Sequence, residues 1–396
     1  MLKTADFQVK GRRIMVYNGR IAIVGVAESE YGRVPHLTEM QMHAQATWRA
    51  LEESGLRKEE IDAVFCSSHS SGMPTVMLCE YLQIFPRYTD STSIGGSSFE
   101  AHLNHAVAAI RAGKCEVALI TYASTQLSSR GRMIGTGGRP ASIPEDTYES
   151  PYGNTLVGAY AMAARRHMYQ YGTTSEQLAE VAVVTRRHAA LNPLAMYREP
   201  ITVQDVLNSR LIADPLHLLD CCVVSDGGGA ILVTTEERAR DLKQRPIFVL
   251  GSSESHTHAH ISQMPDLTIT AAATTAPRAF AEADVTPDDV DMAMIYDSFT
   301  ITVLILLEDL GFCKKGEGGA FVQDGRIALG GQLPINTDGG GLSSNHPGMR
   351  GIFLIIEAVR QLRGQCGARQ VEGAQIALAH GSGGLLSSQA TTILGR

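Results

Sequence analysis

A unit of one helix followed by one strand occurs twice in this chain of 396 residues, and it constrains the fold more than any other feature. The segment Arg49–Ser54, followed by Glu59–Asp62, resembles Arg278–Ala283, followed by Asp288–Asp291. An apolar strand precedes and another follows each copy, and a Gly-rich loop and a helix come next. This shared order of four elements indicates duplication rather than chance similarity between two ordinary α/β units.

Strands alternate with helices along most of the chain, which predicts mostly parallel sheets covered by helices. We therefore predict an α/β fold of two similar halves, residues 1–245 and 246–396. Residues 124–218 interrupt the alternation with Gly- and Ser-rich loops and longer helical stretches. We predict that these residues form an insertion in the first half.

Composition narrows the class of protein. Hydrophobic residues make up 44% of the chain and charged residues 19%, which is ordinary for a soluble globular protein. The net charge of −7 argues against a nucleic-acid partner. No apolar run is long enough to insert across a membrane, and the first residues are too polar for a signal peptide. The seven cysteines lack paired metal-ligand spacing, so we expect no metal site and reduced thiols in a cytoplasm.

The loop before the predicted helix Phe99–Arg111 holds two glycines and two serines. Gly95 and Gly96 let the backbone turn sharply and approach a ligand closely. Ser97 or Ser98 can cap the helix. The free N–H groups of the first helical turn then predict a binding site for an anion or an oxyanion.

This loop and helix resemble the nucleophile loop of thiolases, in which a cysteine begins the helix. Counting back from Gly113 without gaps, the cysteine position falls on Gly96. The run Pro215–Ala230 resembles the end of the first half in sterol-carrier-protein-type thiolases. The resemblance extends from Ile21 to Leu394 and implies a duplicated thiolase fold. In that fold, two βαβαβαββ-type halves form a layered αβαβα sandwich, and residues 124–218 correspond to a loop domain over the active site.

Three further motifs of thiolases have counterparts here. Tyr296 begins a Tyr-Asp-Ser-Phe run that resembles the His-Asp-Cys-Phe motif of the sterol-carrier branch, whose histidine helps bind the thioester oxygen. Asn345 and His346 match the Gly-His-Pro loop, with asparagine replacing glycine. His380 fits the histidine of the C-terminal glycine-rich loop. Taken alone, each motif also has a structural interpretation, as a strand end or a turn.

Within this branch, the members without the cysteine and with a Tyr-Asp-x-Phe motif resemble steroid side-chain aldolases. Those enzymes cleave a β-hydroxyacyl-CoA by retro-aldol chemistry and pair with a small OB-fold/zinc-ribbon protein. The resemblance implies the same reaction here, giving a ketone or aldehyde and a shorter acyl-CoA, with a steroid side-chain CoA ester as the suggested substrate. Coenzyme A would enter only as part of the substrate. The resemblance also implies a homodimer.

The resemblance assigns roles to individual residues. Tyr296 or His346 is expected to take the β-hydroxyl proton, and a nearby positive charge would have to lower the pKa of Tyr296 for the phenol to act as the base. His380 is expected to assist. The residues expected to bind the enolate oxygen or the substrate are Gly96, Ser97, Ser98, Asn345, Gly383 and Gly384.

Two other functions stay open on the sequence. One is a thiolase-like acyltransferase that uses Ser97 or Ser98 as the nucleophile. The other is a non-catalytic, thiolase-like subunit that is retained for assembly. Cleavage of a β-hydroxyacyl-CoA would distinguish the aldolase from both.

Overall fold

The computed structural model describes residues 4–9, 12–68, 72–130, 148–153 and 155–396. The strands are β1 (Thr4–Val9), β2 (Arg12–Tyr17), β3 (Ile21–Glu28), β4 (Ala63–Cys66), β5 (Tyr88–Asp90), β6 (Val117–Ser124), β7 (Leu211–Ala213), β8 (Leu216–His217), β9 (Gly227–Thr235), β10 (Ile247–His256), β11 (Met292–Ile295), β12 (Ile376–Gly383) and β13 (Ser388–Gly395).

The helices follow the same order along the chain. They are α1 (Glu39–Ser54), α2 (Pro74–Leu82), α3 (Ser98–Arg111), α4 (Gln126–Arg130), α5 (Leu156–Tyr171), α6 (Ser175–Ala190), α7 (Val203–Asn208), α8 (Glu236–Ala239), α9 (Ala272–Ala283), α10 (Thr300–Asp309), α11 (Gly318–Phe321) and α12 (Gly351–Arg363). Within the described ranges, no helix has the length and apolar character that crossing a membrane requires.

Local sequence signals explain where the main helices begin and end. Thr38 and Gln41 form a reciprocal capping box at the start of α1, and Gly55 ends that helix in the left-handed conformation. Thr174 and Gln177 form the same box at the start of α6. The strands that lie between helical layers are short, apolar and β-branched, and nearly all of their residues are buried.

Nine strands form one sheet in the order β11-β12-β13-β10-β3-β9-β6-β4-β5. In the first half, β4 is parallel to β6, whereas β6–β9 and β9–β3 are antiparallel pairs. The second half repeats this pattern, because β11 is parallel to β12, and β12–β13 and β13–β10 are antiparallel. Strands β3 and β10 join the two groups through two residue pairs. The predicted duplication is therefore visible in the topology.

Three apolar cores separate the layers. The central core packs α3 and α12 against strands of both halves. One outer core packs α1 and α2 on the first group of strands, and the other packs α9 and α10 on the second group. This αβαβα arrangement confirms the predicted thiolase-type fold. The boundary after residue 245 and the insertion 124–218 stay predictions, and residues 131–147 and 154 of the insertion lie outside the described residues.

The layered arrangement determines where the site lies. Helices α3 and α12 both begin in the central layer, next to the C-terminal ends of β11 and β12. Four of the sequence motifs lie at this one place: the Gly95–Gly96 loop, Tyr296, the His346 loop and the end of β12.

Candidate active site

The ring of Tyr296 lies directly against the backbone of Gly96. A Cβ atom placed on Gly96 would come 2.2 Å from Cε2 and 2.3 Å from Cζ of Tyr296, and 2.4 Å from the carbonyl oxygen of Ser382. Real side chains do not approach so closely, because the packed interior resists overlap. Residue 96 can therefore be only glycine while Tyr296 is in this position. The tyrosine ring thus fills the space beside residue 96, the position that the sequence resemblance aligns with the cysteine of thiolases.

Two groups contact the hydroxyl of Tyr296. The Nε2 atom of His346 lies 3.0 Å from it, and the backbone N–H of Arg350 donates to it at 3.2 Å. The rings of Tyr296 and His346 are edge to face, with 5.6 Å between their centroids. Tyr296 is 4% exposed and His346 is 5% exposed, so both side chains are removed from bulk water. The structure thus brings Tyr296 and His346 together, as the sequence predicts.

Backbone hydrogen bonds fix the position of the His346 loop. The backbone of His346 is bonded in both directions to Ser225, since its N–H donates to the Ser225 hydroxyl at 3.0 Å and its carbonyl accepts from the Ser225 N–H at 3.2 Å. Asp297, next to Tyr296, accepts from the N–H groups of Gly341 and Leu342 at 2.7 and 3.2 Å. The run Pro215–Ala230 therefore contributes structurally, by holding the loop against the end of β11.

The protonation state of Tyr296 differs from the expected one. Burial raises the pKa of Tyr296 well above its usual value of about 10, so the side chain is a neutral phenol at pH 7. The lowered pKa that the sequence interpretation required is not found. A neutral phenol can still donate one hydrogen bond and accept two.

Arg350 is a component of the site that the sequence analysis missed. Its side chain is fully buried, forms an ion pair with Asp338, and donates from Nε to the Asn345 carbonyl at 3.1 Å. Its Nη1 has no hydrogen-bond partner among the described residues. An arginine three residues after Pro347 resembles an ordinary loop cation in the sequence. Only the fold shows that it lies beside Tyr296.

His380 does not join this pair. Its Nδ1 lies 2.9 Å from the Thr391 hydroxyl and its Nε2 lies 2.9 Å from Oε1 of Gln389, so both ring nitrogens are engaged by β13. Burial lowers the pKa of His380 to about 4, which leaves the ring neutral. Strand residues alternate between faces. Ala379 faces the central core and Leu378 the outer core, so His380 shares the outer face with Leu378. The predicted convergence of His380 with Tyr296 and His346 is not seen.

Gly383 and Gly384, two of the residues expected to bind an oxyanion, lie against Gly95, the neighbour of Gly96. A Cβ on Gly95 would come 2.8 Å from the nitrogen of Gly384 and from the Cα of Gly383. Asn345 is buried, and its Oδ1 has no hydrogen-bond partner among the described residues. A buried polar atom without a partner is costly unless a ligand or water completes it. These features are compatible with an oxyanion site whose role stays a prediction.

The two serines of the loop are engaged in structural hydrogen bonds. The Ser97 hydroxyl lies 3.0 Å from the Ile94 carbonyl and 2.7 Å from the Ser388 hydroxyl. The Ser98 hydroxyl donates to the Gly95 carbonyl at 2.7 Å and accepts from the Ile94 N–H at 3.0 Å. Both hydroxyls are therefore held by structural hydrogen bonds, which argues against the nucleophile–base pairing that acyl transfer requires.

An open cavity lies elsewhere in the molecule. It measures about 570 Å³ and is lined by the end of β3, by α1 and by Arg360, which forms an ion pair with Glu28. Neither Tyr296 nor His346 lines it. Across the described ranges, no group of three or more His, Cys, Asp or Glu side chains has the geometry to hold a metal ion.

Comparison with known proteins identifies the family. A family model described as "Thiolase C-terminal domain-like" matches residues 253–396. The chain is 34% identical to an acetyl-CoA acetyltransferase of Methanothermobacter thermautotrophicus over 95% of this chain and 99% of that protein. It is 35% identical to a steroid side-chain-cleaving aldolase of Thermomonospora curvata over 88% of this chain and 92% of that protein. The chain belongs to the thiolase superfamily.

A solved structure agrees with this assignment. The "Ltp2-ChsH2(DUF35) aldolase" superimposes with a TM-score of 0.87 at 33% identity, covering 95% of this chain and 98% of that chain. The resemblance inferred from the sequence, to the sterol-carrier branch and its cysteine-less aldolases, is confirmed. Within the superfamily, the replacement at residue 96 now has a physical explanation, since Tyr296 occupies the space of a nucleophile side chain.

Proposed function

We propose that this protein is a carbon–carbon lyase that cleaves a β-hydroxyacyl-CoA by retro-aldol chemistry, with a steroid side-chain CoA ester as its substrate class. One observation carries the proposal: the Tyr296 ring fills the nucleophile position, and its hydroxyl lies 3.0 Å from Nε2 of His346. Acyl transfer through an enzyme ester needs a nucleophile at that position. Retro-aldol cleavage needs only a base for the hydroxyl and donors for the enolate.

The hydrogen bonds at Tyr296 support a relay rather than a phenolate base. The phenol oxygen accepts from the Arg350 N–H and has one further lone pair, which can accept the β-hydroxyl of the substrate. As the Cα–Cβ bond breaks, the substrate proton passes to the phenol oxygen and the phenol proton passes to Nε2 of His346. Tyr296 stays neutral throughout, in agreement with its raised pKa.

The second half of the reaction returns the proton. Cleavage leaves a ketone or aldehyde and the enolate of the shorter acyl-CoA, whose charge the N–H groups near Gly96 and Gly384 would stabilise. The proton held on His346 then passes back through Tyr296 to Cα of the enolate. One bond between carbons breaks, the hydroxyl proton ends on Cα, and no external oxidant or metal enters the balance.

An acyltransferase is the second candidate, because the acetyl-CoA acetyltransferase relative is similarly close in sequence. The hydrogen bonds of Ser97 and Ser98 argue against it.

We also propose that this protein binds a small OB-fold/zinc-ribbon subunit, by analogy with the aldolase whose name joins Ltp2 to ChsH2(DUF35). We propose further that it is located in the cytoplasm. All seven cysteines are free thiols, which supports a reducing compartment.

Incubation with a β-hydroxyacyl-CoA should release a carbonyl compound and a shorter acyl-CoA in equal amounts, measured by chromatography and mass spectrometry. The partner subunit should be tested both present and absent. Intact-protein mass spectrometry after incubation with acetyl-CoA should show no added acyl group, because residue 96 has no side chain to carry one. An acyl adduct on Ser97 or Ser98, without cleavage of the β-hydroxyacyl-CoA, would support the acyltransferase instead.

We further propose a homodimer that forms at the β5 edge of the large sheet. Strand β5 ends the sheet and precedes the Gly95–Gly96 loop by a few residues. Next to it, Val76, Tyr81 and Phe85 expose 56%, 49% and 85% of their surfaces. Exposed apolar side chains beside an open strand edge are typical of an interface between chains.

Light scattering should give twice the mass of one chain at micromolar concentration, and Phe85→Asp should shift the equilibrium toward monomer. Tyr169→Asp is the matched control, since Tyr169 is 84% exposed on α5, outside α2 and β5. A wild-type protein that stays monomeric, or equal dissociation by both variants, would contradict this interface.

A further inference from the structure

Glu100 is a buried carboxyl group beside the site that the proposed mechanism does not use. It lies in the first turn of α3, four residues after Gly96, and is 1% exposed. Neither carboxyl oxygen has a hydrogen-bond partner among the described residues. A glutamate in a first helical turn is normally solvated and complements the helix dipole. Glu100 is instead enclosed by protein, which requires another explanation.

The carboxyl lies where three elements of the site meet. A Cβ on Gly381 of β12 would come 2.2 Å from its Oε2, and a Cβ on Gly351, the first residue of α12, would come 2.4 Å from the same atom. The carbonyl oxygen of Gly96 would lie 2.2 Å from that second Cβ. The carboxyl therefore separates α3, α12 and β12 at their closest approach, and both neighbours must be glycines.

The same elements hold Tyr296. The N–H of Arg350, at the start of α12, donates to the Tyr296 hydroxyl, and the N–H of Tyr296 donates to the carbonyl of His380 on β12 at 3.0 Å. The ring lies on Gly96 at the start of α3. A change in the volume or charge at Glu100 would thus move the supports of Tyr296.

The charges around Glu100 are few. His102 on α3, His380 on β12 and Tyr296 after β11 are all neutral, because burial lowers the pKa of each histidine to about 4 and raises that of the tyrosine. Arg350, which directly precedes α12, is the charge that acts on Glu100. Burial raises the pKa of Glu100 to about 8, and Arg350 only partly opposes this, so the group is a neutral acid at pH 7.

We propose that Glu100 is a positioning residue of the proposed lyase, which as a neutral carboxylic acid sets the spacing of α3, α12 and β12 and thereby the place of Tyr296. Ionisation would put a charge without hydrogen bonds between these elements and pull on Arg350, whose N–H holds the phenol. Tyr296 is therefore held in its active position only while Glu100 is protonated. The kinetic test of this inference rests on the proposed lyase function. The structural test depends only on the position of Tyr296.

The sign of the pH effect follows from the direction of the shift. The folded state binds a proton more tightly than the unfolded chain, whose glutamate pKa is about 4.3. The contribution of Glu100 to stability is therefore fully present below about pH 4.3, declines as the pH rises, and is lost above about pH 8. Activity should fall over the upper part of the same window.

The kinetic test compares wild type, Glu100→Gln and Glu100→Ala between pH 6 and pH 9.5. Wild-type kcat should fall about tenfold from pH 7 to pH 9 with an apparent pKa near 8. Glu100→Gln, a neutral mimic of the same shape, should keep kcat within about twofold at pH 7 and lack the alkaline fall. Glu100→Ala should lose about tenfold or more in kcat at every pH, with KM nearly unchanged.

The structural test needs no substrate. With tyrosine labelled at Cζ by ¹³C, and the Tyr296 signal assigned by its loss in Tyr296→Phe, that signal should shift near pH 8 in wild type and stay constant in Glu100→Gln. An unchanged Tyr296 signal in wild type would overturn the positioning role, and so would an alkaline fall in Glu100→Gln equal to that of wild type. Absence of lyase activity with the NMR shift intact would refute the proposed function but not the positioning.

Discussion

Tyr296→Phe should lower kcat for retro-aldol cleavage by about two to four orders of magnitude, the usual effect of losing an acid/base group. The substitution removes only the hydroxyl, so the ring still fills the space at Gly96. The lost atom is the one that lies 3.0 Å from Nε2 of His346 and accepts from the Arg350 N–H. Leaving that buried N–H without a partner should also cost about 1–3 kcal/mol of stability. Steady-state kinetics and urea unfolding measure the two effects.

Tyr122→Phe is the matched control for this result. Tyr122 is also fully buried, and its hydroxyl donates one hydrogen bond, to the Pro347 carbonyl at 2.6 Å. Its stability loss should resemble that of Tyr296→Phe, whereas its kcat should stay within about tenfold of wild type, since no proton transfer runs through it. If Tyr296→Phe and His346→Ala both kept near-wild-type rates in a folded protein, the relay through these two side chains would be wrong.

Much of this architecture could be predicted from the sequence, because strong local signals coincide with the global pattern. Helix α6 is one of the longer helical stretches predicted within residues 124–218, and a capping box at Thr174 begins it. The repeated units do occupy equivalent strands. The contact between Tyr296 and His346 could be predicted from the resemblance. Tyr296 directly follows the buried strand β11, and the His346 loop precedes α12 of the central layer. The predicted duplicated fold is confirmed for the same reason.

The sequence did not predict local structure that is determined by close packing rather than by a periodic pattern. The run from His380 to Gly383 was predicted as a glycine-rich loop, whereas β12 continues through it and turns His380 onto the outer face. Glycines there usually mark a turn, but here they permit the approach of Glu100 and of the Ile94 carbonyl. Nothing in sequence spacing distinguishes a glycine needed for a turn from one needed for contact.

The buried charged residues near the site are the second feature that the sequence did not predict. In the sequence, Arg350 and Glu100 look like ordinary surface residues. Arg350 is a basic residue in a loop, and Glu100 is an acidic residue in the first turn of a helix. Their burial arises from the packing of α3 against α12 between two groups of strands, which involves residues more than two hundred positions apart. Long-range packing of this kind leaves no periodicity in the sequence.

Gly96→Ala should both destabilise the protein and inactivate it. The new methyl group would lie 2.2–2.4 Å from two ring carbons of Tyr296 and from the Ser382 carbonyl, so the ring must move. Overpacking of a core costs about 1–3 kcal/mol. A displacement of about 1 Å away from His346 would lower kcat by about a hundredfold. Gly72→Ala is the control, since Gly72 is exposed and no described atom lies within 4 Å of its added Cβ.

A double-mutant cycle with Tyr296→Ala isolates the contact itself. Because Tyr296→Ala removes the ring that the methyl group meets, the loss of stability in Gly96→Ala/Tyr296→Ala should be smaller than the sum of the two single losses, by about 0.5–3 kcal/mol. Part of the stability loss of Gly96→Ala should remain in the double variant, because the new methyl group still meets the Ser382 carbonyl. Additive losses, or a Gly96→Ala variant with wild-type kcat, would mean that the ring does not occupy the nucleophile position. A cysteine and Tyr296 could then share the site, and the steric reason for the missing nucleophile would be lost.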